Sequence, residues 1–513
     1  MKGMNIKVKK LLSVIAILAL ILSVLSVFGS CGGEKSGETG NQNTAEQNTN
    51  EIPAEDTPED TFYKADYLPE ADYGGYEFRM VTTSHEGIDL ITAADIEEET
   101  GDTVDDAIYK RNRLIEERYN IKFRQINMPD YPSLTTTFKK TVAAGSDDFD
   151  LGMMISRDAW STALTGAVVT VNSLPYLDIL QPWYSHDVNS EISINGKLYF
   201  AYSDECLNMF EQTLCVLFNK GLAQNLALDN IYNLVKDNKW TQDKFFELAK
   251  TAAADLDSDG EMTDADRYGI LSQSDMFYPS FWVSSGIKTL SKDENDLLVF
   301  TGDNEKLYNA LEKVYDNIWG GAKIYFDTFA DKITSYQNSG GDDLRRVSSV
   351  QFENDLGLFA VRHIGVIPTL RAMETDFGIL PFPKYDESQE KYYSRVIDGW
   401  INCVPVTATD LERTSVIMEA LAIESKNITI PAYFETALRT KHARDDESQD
   451  MLDIIHANRT VDLGDTFYMF DVRNIYVEVL TGKRNNFASQ VEKKANSVNK
   501  VIDKANETAL GLE

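Results

Sequence analysis

At 513 residues the chain is long enough for two or three domains and an ample core. Its 82 acidic against 49 basic residues give a net charge of −33, which would repel phosphate backbones and excludes a nucleic-acid partner. The four cysteines are too few for a disulfide framework; beyond Cys31, one bridge or buried free thiols among Cys206, Cys215 and Cys403 both fit.

The chain begins with Lys7, Lys9 and Lys10, then an apolar run from Leu11 to Phe28, then Gly29, Ser30 and Cys31. A basic stretch, an apolar stretch and small residues in that order read as a secretory signal over residues 1–30. The alternative is an uncleaved anchor, for which the run is barely long enough. Ser30-Cys31-Gly32 resembles the lipobox of bacterial lipoproteins, which implies a diacylglycerol on Cys31; Phe28 departs from the aliphatic residue usual there. Loss of the four lysines in this segment would take the charge from −33 to −37. Residues 32–60 hold no aromatic side chain and cannot bury enough apolar surface to order themselves. With Cys31 they form a disordered tether, spanning on the order of 30 Å.

Further along, YEFRMVTT (76–83) alternates as a strand does, after the turn Gly74-Gly75. Val104, Ala107, Ile108, Arg111, Ile115 and Tyr119 share one helical stripe, with Asp105 and Asp106 in its first turn. Residues 121–126 read as a second strand and 149–155 (FDLGMMI) as a third, buried one. This alternation predicts an α/β lobe with a largely parallel sheet, in which ligands bind beyond the carboxyl ends of the strands. The loops 83–86 and 156–160 stand there. Residues 214–222 predict a strand running into a helix, and 307–319, 349–359, 410–425 and 487–510 predict helices. Residues 275–286 are dense in aromatics, and 378–384 (GILPFPK) is a strand closed by two prolines.

Between them lies WTQDKFFELAKTAAADLDSDGEMTDADRYGI, 240–270. Thr241 serves as N-cap and Asp243 complements the positive first turn, while Phe245, Leu248, Ala249 and Ala252 make an apolar face. With Asp255 as position 1, Asp257, Asp259 and Asp266 occupy positions 3, 5 and 12, and Gly260 position 6. That is the ligand spacing of a twelve-residue calcium loop, with a carbonyl from Glu261 and a hydroxyl or bridging water at Thr263. A solvated acidic turn is the plainer alternative. Tyr268-Gly-Ile-Leu reads as a strand, so the site would be a structural calcium staple and not a full EF-hand.

Taken in order, LFNKGL (217–222), the 240–250 helix with its acidic loop ending in Tyr268-Gly269, GILPFPK and DGW (398–400) resemble the extracellular solute-binding proteins of sugar ABC importers. The lipidated cysteine and polar tether fit the same family, and the resemblance runs from residue 76 to the C-terminus apart from insertions such as 328–343. It implies an α/β, two-lobe periplasmic-binding-protein-like (type II) fold with a hinge between the lobes. Crossings are implied near 199–203, 381–398 and 440–445. Lobe one would be 61–202 plus 399–439, and lobe two 203–398 plus 440–513. The expected partners are a sugar or oligosaccharide, the permease subunits, and the outer face of the cytoplasmic membrane through the lipid; the protein would be an extracellular monomer without catalytic chemistry.

Sugars present hydroxyls at ring edges and C–H faces, so a site needs carboxylates, amides or arginine together with aromatic planes. Arg157, Asp158 and Trp160 follow the third strand, where the resemblance places polar sugar contacts; capping by Asp158 and packing by Trp160 are the alternatives. Tyr278 and Trp282 match the family's stacking aromatics, yet their spacing of four also suits a core stripe. Asp398 and Trp400 flank a crossing, and Asp204 and Glu205 stand near another. His85 lies in a loop after a strand; the other four histidines do not cluster. There is no HExxH, GxxxxGK(S/T) or GxSxG. A secreted glycoside hydrolase, with two carboxylates about 5–10 Å apart, and a surface lipoprotein that binds carbohydrate without transport are the competing readings.

Overall fold

A computed structural model describes residues 62–83, 98–321, 323–328, 349–434 and 445–511. The signal, Cys31 and tether, the loop with His85, most of the 328–343 insertion and nearly all of the 440–445 crossing lie outside the described residues.

Two sheets organise the described chain. In the first, the strands Tyr76–Thr83, Ile121–Met128 and Leu151–Ile155 run parallel, and Trp400–Cys403 joins antiparallel beside Leu151–Ile155. In the second, Tyr268–Ser272 runs parallel to Tyr325–Asp327 and Gly357–His363, while Leu214–Asn219 lies antiparallel between Gly357–His363 and Phe377–Leu380. A two-residue parallel pairing of Ser394–Arg395 with Arg459–Thr460 stands apart from both.

Local chemistry explains the elements. Asp102 caps the helix Thr103–Tyr119 by accepting from the Val104 amide at 2.9 Å, and Asn120 ends it in the left-handed region with φ 48°. The strand Leu151–Ile155 is buried throughout, and Gly152 allows the Phe138 ring to close on it: an added Cβ would lie 2.6 Å from that ring. Thr241 caps the helix Gln242–Ala252 through the Lys244 amide at 3.3 Å. That helix packs so tightly on Tyr268–Ser272 that a Cβ at Gly269 would meet the Ala249 carbonyl at 2.1 Å.

One segment departs from expectation. Residues 349–359 form only a short helix, Val350–Glu353, before the strand Gly357–His363 begins. Asp355, at φ 61°, breaks the helix, and the apolar run after it is a central strand buried on both faces, whose sequence carries no period of two. Cys206, Cys215 and Cys403 are free, buried thiols. Among the described residues no helix is long and apolar enough to cross a membrane.

Candidate functional site

The strand Leu151–Ile155 hands the chain directly to the helix Ser156–Ala163. Ser156 Oγ lies 2.5 Å from the Tyr202 hydroxyl, donates to the Gly399 carbonyl at 2.6 Å and accepts from the Gly399 amide at 3.1 Å. These bonds fix where Arg157 and Asp158 leave the backbone. Arg157 Nη1 lies 3.6 Å from Asp398 Oδ2, and its Nε 3.5 Å from Asp158 Oδ1. Both distances exceed those of a tight charge-assisted bond, so the guanidinium keeps donors to offer. Burial raises the pKa of Asp158, opposed by Arg157, Thr135 and Lys139. Burial likewise raises Asp398, opposed by Arg157, Arg473 and Arg395.

Trp160 is the hub of an aromatic cluster. It meets Tyr199, Phe200, Phe467 and Tyr468 edge to face at 6.3, 6.0, 5.6 and 5.9 Å between centroids, and Phe200 stacks on Phe467 at 5.8 Å. Beside it opens a cavity of ≈ 420 Å³. Its walls come from Arg157, Asp158 and Trp160, from the turn carrying Phe470 and Asp471, and from Lys500 and Lys504 of the helix Phe487–Leu510. Phe470 is 69% exposed at this cavity, an open aromatic plane. Burial raises Asp471, opposed by Lys494. The result is a pocket lined by both aromatic rings and charged hydrogen-bonding groups, the mixture a polyhydroxylated ring requires.

The structure brings Arg157, Asp158 and Trp160 onto this cavity and ties Asp398 to it through Arg157. Trp400 stands behind, buried, with Tyr131 between: its ring is 5.5 Å from Tyr131, over which Arg157 lies at 5.9 Å. Tyr278 and Trp282, expected as stacking rings, are core side chains and do not line the cavity. Their helix, Ser274–Ser284, is buried at every residue from Phe277 onward, and the Trp282 indole donates to the buried Asp462 carboxylate at 3.0 Å. Asp204 is occupied by Lys426 at 3.2 Å, and Glu205 is buried, accepting from Asn402 at 2.5 Å; neither lines the cavity. The sequence reading missed Phe467, Tyr468, Phe470 and Asp471. The available signal was TFYMFDVR, with three aromatics in four residues beside an acid and a base.

In the acidic loop, carboxylate oxygens of Asp255, Asp257 and Asp259 lie within 4.8 Å of one another. Gly260, at φ 88°, makes the bend. Asp257 accepts a bond from the Asp259 amide that lowers its pKa, yet desolvation and then the carboxylates of Asp259, Asp255 and Asp266 leave it raised. Asp266 behaves differently: its two oxygens accept from the amides of Leu256 at 2.8 Å and Thr263 at 2.7 Å, which lower its pKa. Asp266 thus closes the loop on itself, and the Thr263 hydroxyl donates to it at 3.1 Å. The backbone amide of Glu261 donates to Asp259 at 2.7 Å.

No family model and no curated protein matches the chain. Solved structures do. An ABC substrate-binding protein from Listeria monocytogenes, solved in complex with cycloalternan, superposes with a TM-score of 0.54 at 12% identity, covering 84% of this chain and 99% of that one. A cyclo/maltodextrin-binding protein complexed with maltotetraose gives 0.56 at 12% identity, over 83% and 97%. The GacH receptor of Streptomyces glaucescens, solved with acarbose, gives 0.53 at 13%, over 84% and 99%. The fold is the two-lobe, MalE-type binding-protein fold. These three neighbours are described as two binding proteins and a receptor.

Proposed function

We propose that this protein captures a sugar or oligosaccharide in the Trp160 cavity and delivers it to the permease of an ABC importer, without chemistry of its own. The observation that carries the reading is the cavity itself. It gathers Phe470 and the Trp160 cluster with Arg157, Asp158, Asp471 and two lysines, in a volume within the roughly 300–1,000 Å³ of small-molecule sites. Solved structures with the same fold hold cycloalternan, maltotetraose and acarbose, which supports the ligand class.

In this reading 61–202 plus 399–439 and 203–398 plus 440–513 are the two lobes, and closure over the ligand creates the surface the permease reads. Residues 1–30 direct export, Cys31 carries the lipid, and the tether to residue 60 holds a monomer at the outer face of the cytoplasmic membrane. Calcium on Asp255, Asp257 and Asp259, with the Glu261 carbonyl, would staple the loop; these are hard oxygen ligands of the kind that ion takes. Thermal shift across a panel of mono- and oligosaccharides, with product analysis of the same samples, tests the function. A saturable rise in Tm with intact sugar supports it. Release of product would instead make the protein a glycosidase, and a flat response to every sugar would remove transport of sugars altogether.

A further inference from the structure

A second space shares no lining residue with the Trp160 cavity. Two adjoining cavities, ≈ 340 and ≈ 300 Å³, have Asp187, Ala457 and Arg459 in common and make one groove. One wall is the helix His186–Ile192 with the residues just before it; the other is the end of the helix Asp446–Ala457 and the strand Arg459–Thr460. Arg459 stands where the two cavities meet.

Its guanidinium lies over the Phe210 ring at 4.0 Å, and Nε donates to the His456 carbonyl at 3.2 Å. That is the one side-chain hydrogen bond Arg459 makes among the described residues, and Nη1 is buried without a partner. A guanidinium carries five donors in a fixed fork, so most of its capacity is unused. The carboxylate whose field reaches it is Asp204, but that group is already paired with Lys426 at 3.2 Å. Arg459 and Lys426 therefore share the field of Asp204. Burial lowers the pKa of Arg459 to about 10 against the pull of Asp204. Of the acids on the helical wall, Glu191 reaches toward Lys288 at 3.7 Å, and Asp187 makes no ion pair among the described residues. A half-buried arginine that shares the charge of Asp204 with Lys426 has room for a further negative group.

We propose that this groove binds an anionic small molecule, a carboxylate or a phosphate, whose acidic group sits on the open edge of Arg459. The planar fork suits either oxyanion. Ser185 and His186 close the site from the facing wall, and Lys391 and Asn458 stand at its rim. Because the two walls belong to different elements, an occupant bridges them.

The test is calorimetric titration of the full chain with inorganic phosphate and, separately, with sodium glucuronate, at an ionic strength held constant with chloride. Saturable binding of at least one is expected: phosphate alone identifies a phosphate-bearing ligand, glucuronate alone an acidic sugar. Arg459→Met should weaken that binding at least about tenfold, as removal of a charged hydrogen-bonding partner does. Lys391→Gln, at the rim and away from the Phe210 packing, should weaken it by a smaller factor with an unchanged Tm, so the site is tested even if Arg459→Met unfolds. Phe470→Ala, which alters only the other cavity, should leave anion binding unchanged. The proposal is overturned if neither anion binds above the chloride background, or if both Arg459→Met and Lys391→Gln bind as tightly as the parent.

Discussion

Residues 275–285 (DMFYPSFWVSS) and 466–473 (TFYMFDVR) are both crowded with aromatics, yet the first became core and the second frames a cavity. In the first, Phe277 stacks on Tyr325 at 4.8 Å, Phe281 on Phe246 at 5.3 Å, and the Trp282 indole is satisfied by Asp462. Every ring there has a protein partner. In the second, Phe467 and Tyr468 turn inward to Trp160, but a single π-helical turn, Met469–Arg473, swings Phe470 outward. Such turns recur at functional sites because they re-aim one side chain without ending the helix that follows. Aromatic density marks a segment as energetically important; the hydrogen-bond partners and the local backbone decide whether it is spent on packing or on a ligand.

Mutation should separate the two segments sharply. Trp282→Ala removes a fully buried ring and leaves Asp462 short of a donor, so a loss of about 3–5 kcal/mol is expected in urea unfolding, with sugar affinity of the folded fraction unchanged. Comparable loss of affinity would mean that Trp282 reaches the ligand after all. Next in size is an acid effect outside both segments. His456, sandwiched with Phe210 and Phe434 at 4.9 and 4.5 Å, has its pKa lowered to about 3 by burial, Arg459 and Lys426. The unfolded chain, with histidine near 6.5, then binds more protons than the native state, so stability falls as pH drops from about 6.5 toward 3, by up to about 1.4 kcal/mol per unit. His456→Phe should flatten that slope relative to the parent in urea midpoints taken between those limits; an identical slope would assign acid sensitivity elsewhere.

Phe470→Ala makes the opposite pattern: stability within about 0.5 kcal/mol, because the ring is 69% exposed, but sugar affinity lower by about tenfold. The smallest effect concerns the acidic loop, whose helix Gln242–Ala252 supplies Phe246 to the packed segment. Chelation of calcium should lower Tm by a few degrees without touching sugar affinity, and Asp259→Ala should reproduce the fall. An unchanged Tm on chelation would leave the loop as a solvated turn.

Much of the architecture was legible because the signals were local. The strand Tyr76–Thr83, the cap at Thr241 and the helix Phe487–Leu510 each follow from side chains within a turn of where they act. The position of Arg157, Asp158 and Trp160 just beyond a strand was legible for a related reason: the carboxyl end of a buried parallel strand is marked by sequence on both sides. Trp282 was not, because its partner Asp462 is 180 positions away, and no spacing rule reports such a pairing. Asp266 fits the twelfth ligand position by number, yet the backbone amides it accepts are a property of the folded loop alone. The strand Gly357–His363 was read as helix because a segment buried on both faces carries no alternation.

Titration calorimetry of the parent and of Phe470→Ala against the best-binding oligosaccharide of a panel tests the central claim most directly. The account predicts saturable binding to the parent, about tenfold weaker binding to Phe470→Ala, and the same Tm for both in the absence of sugar. Equal affinity for the two proteins, or no binding of any sugar to the parent, would contradict it.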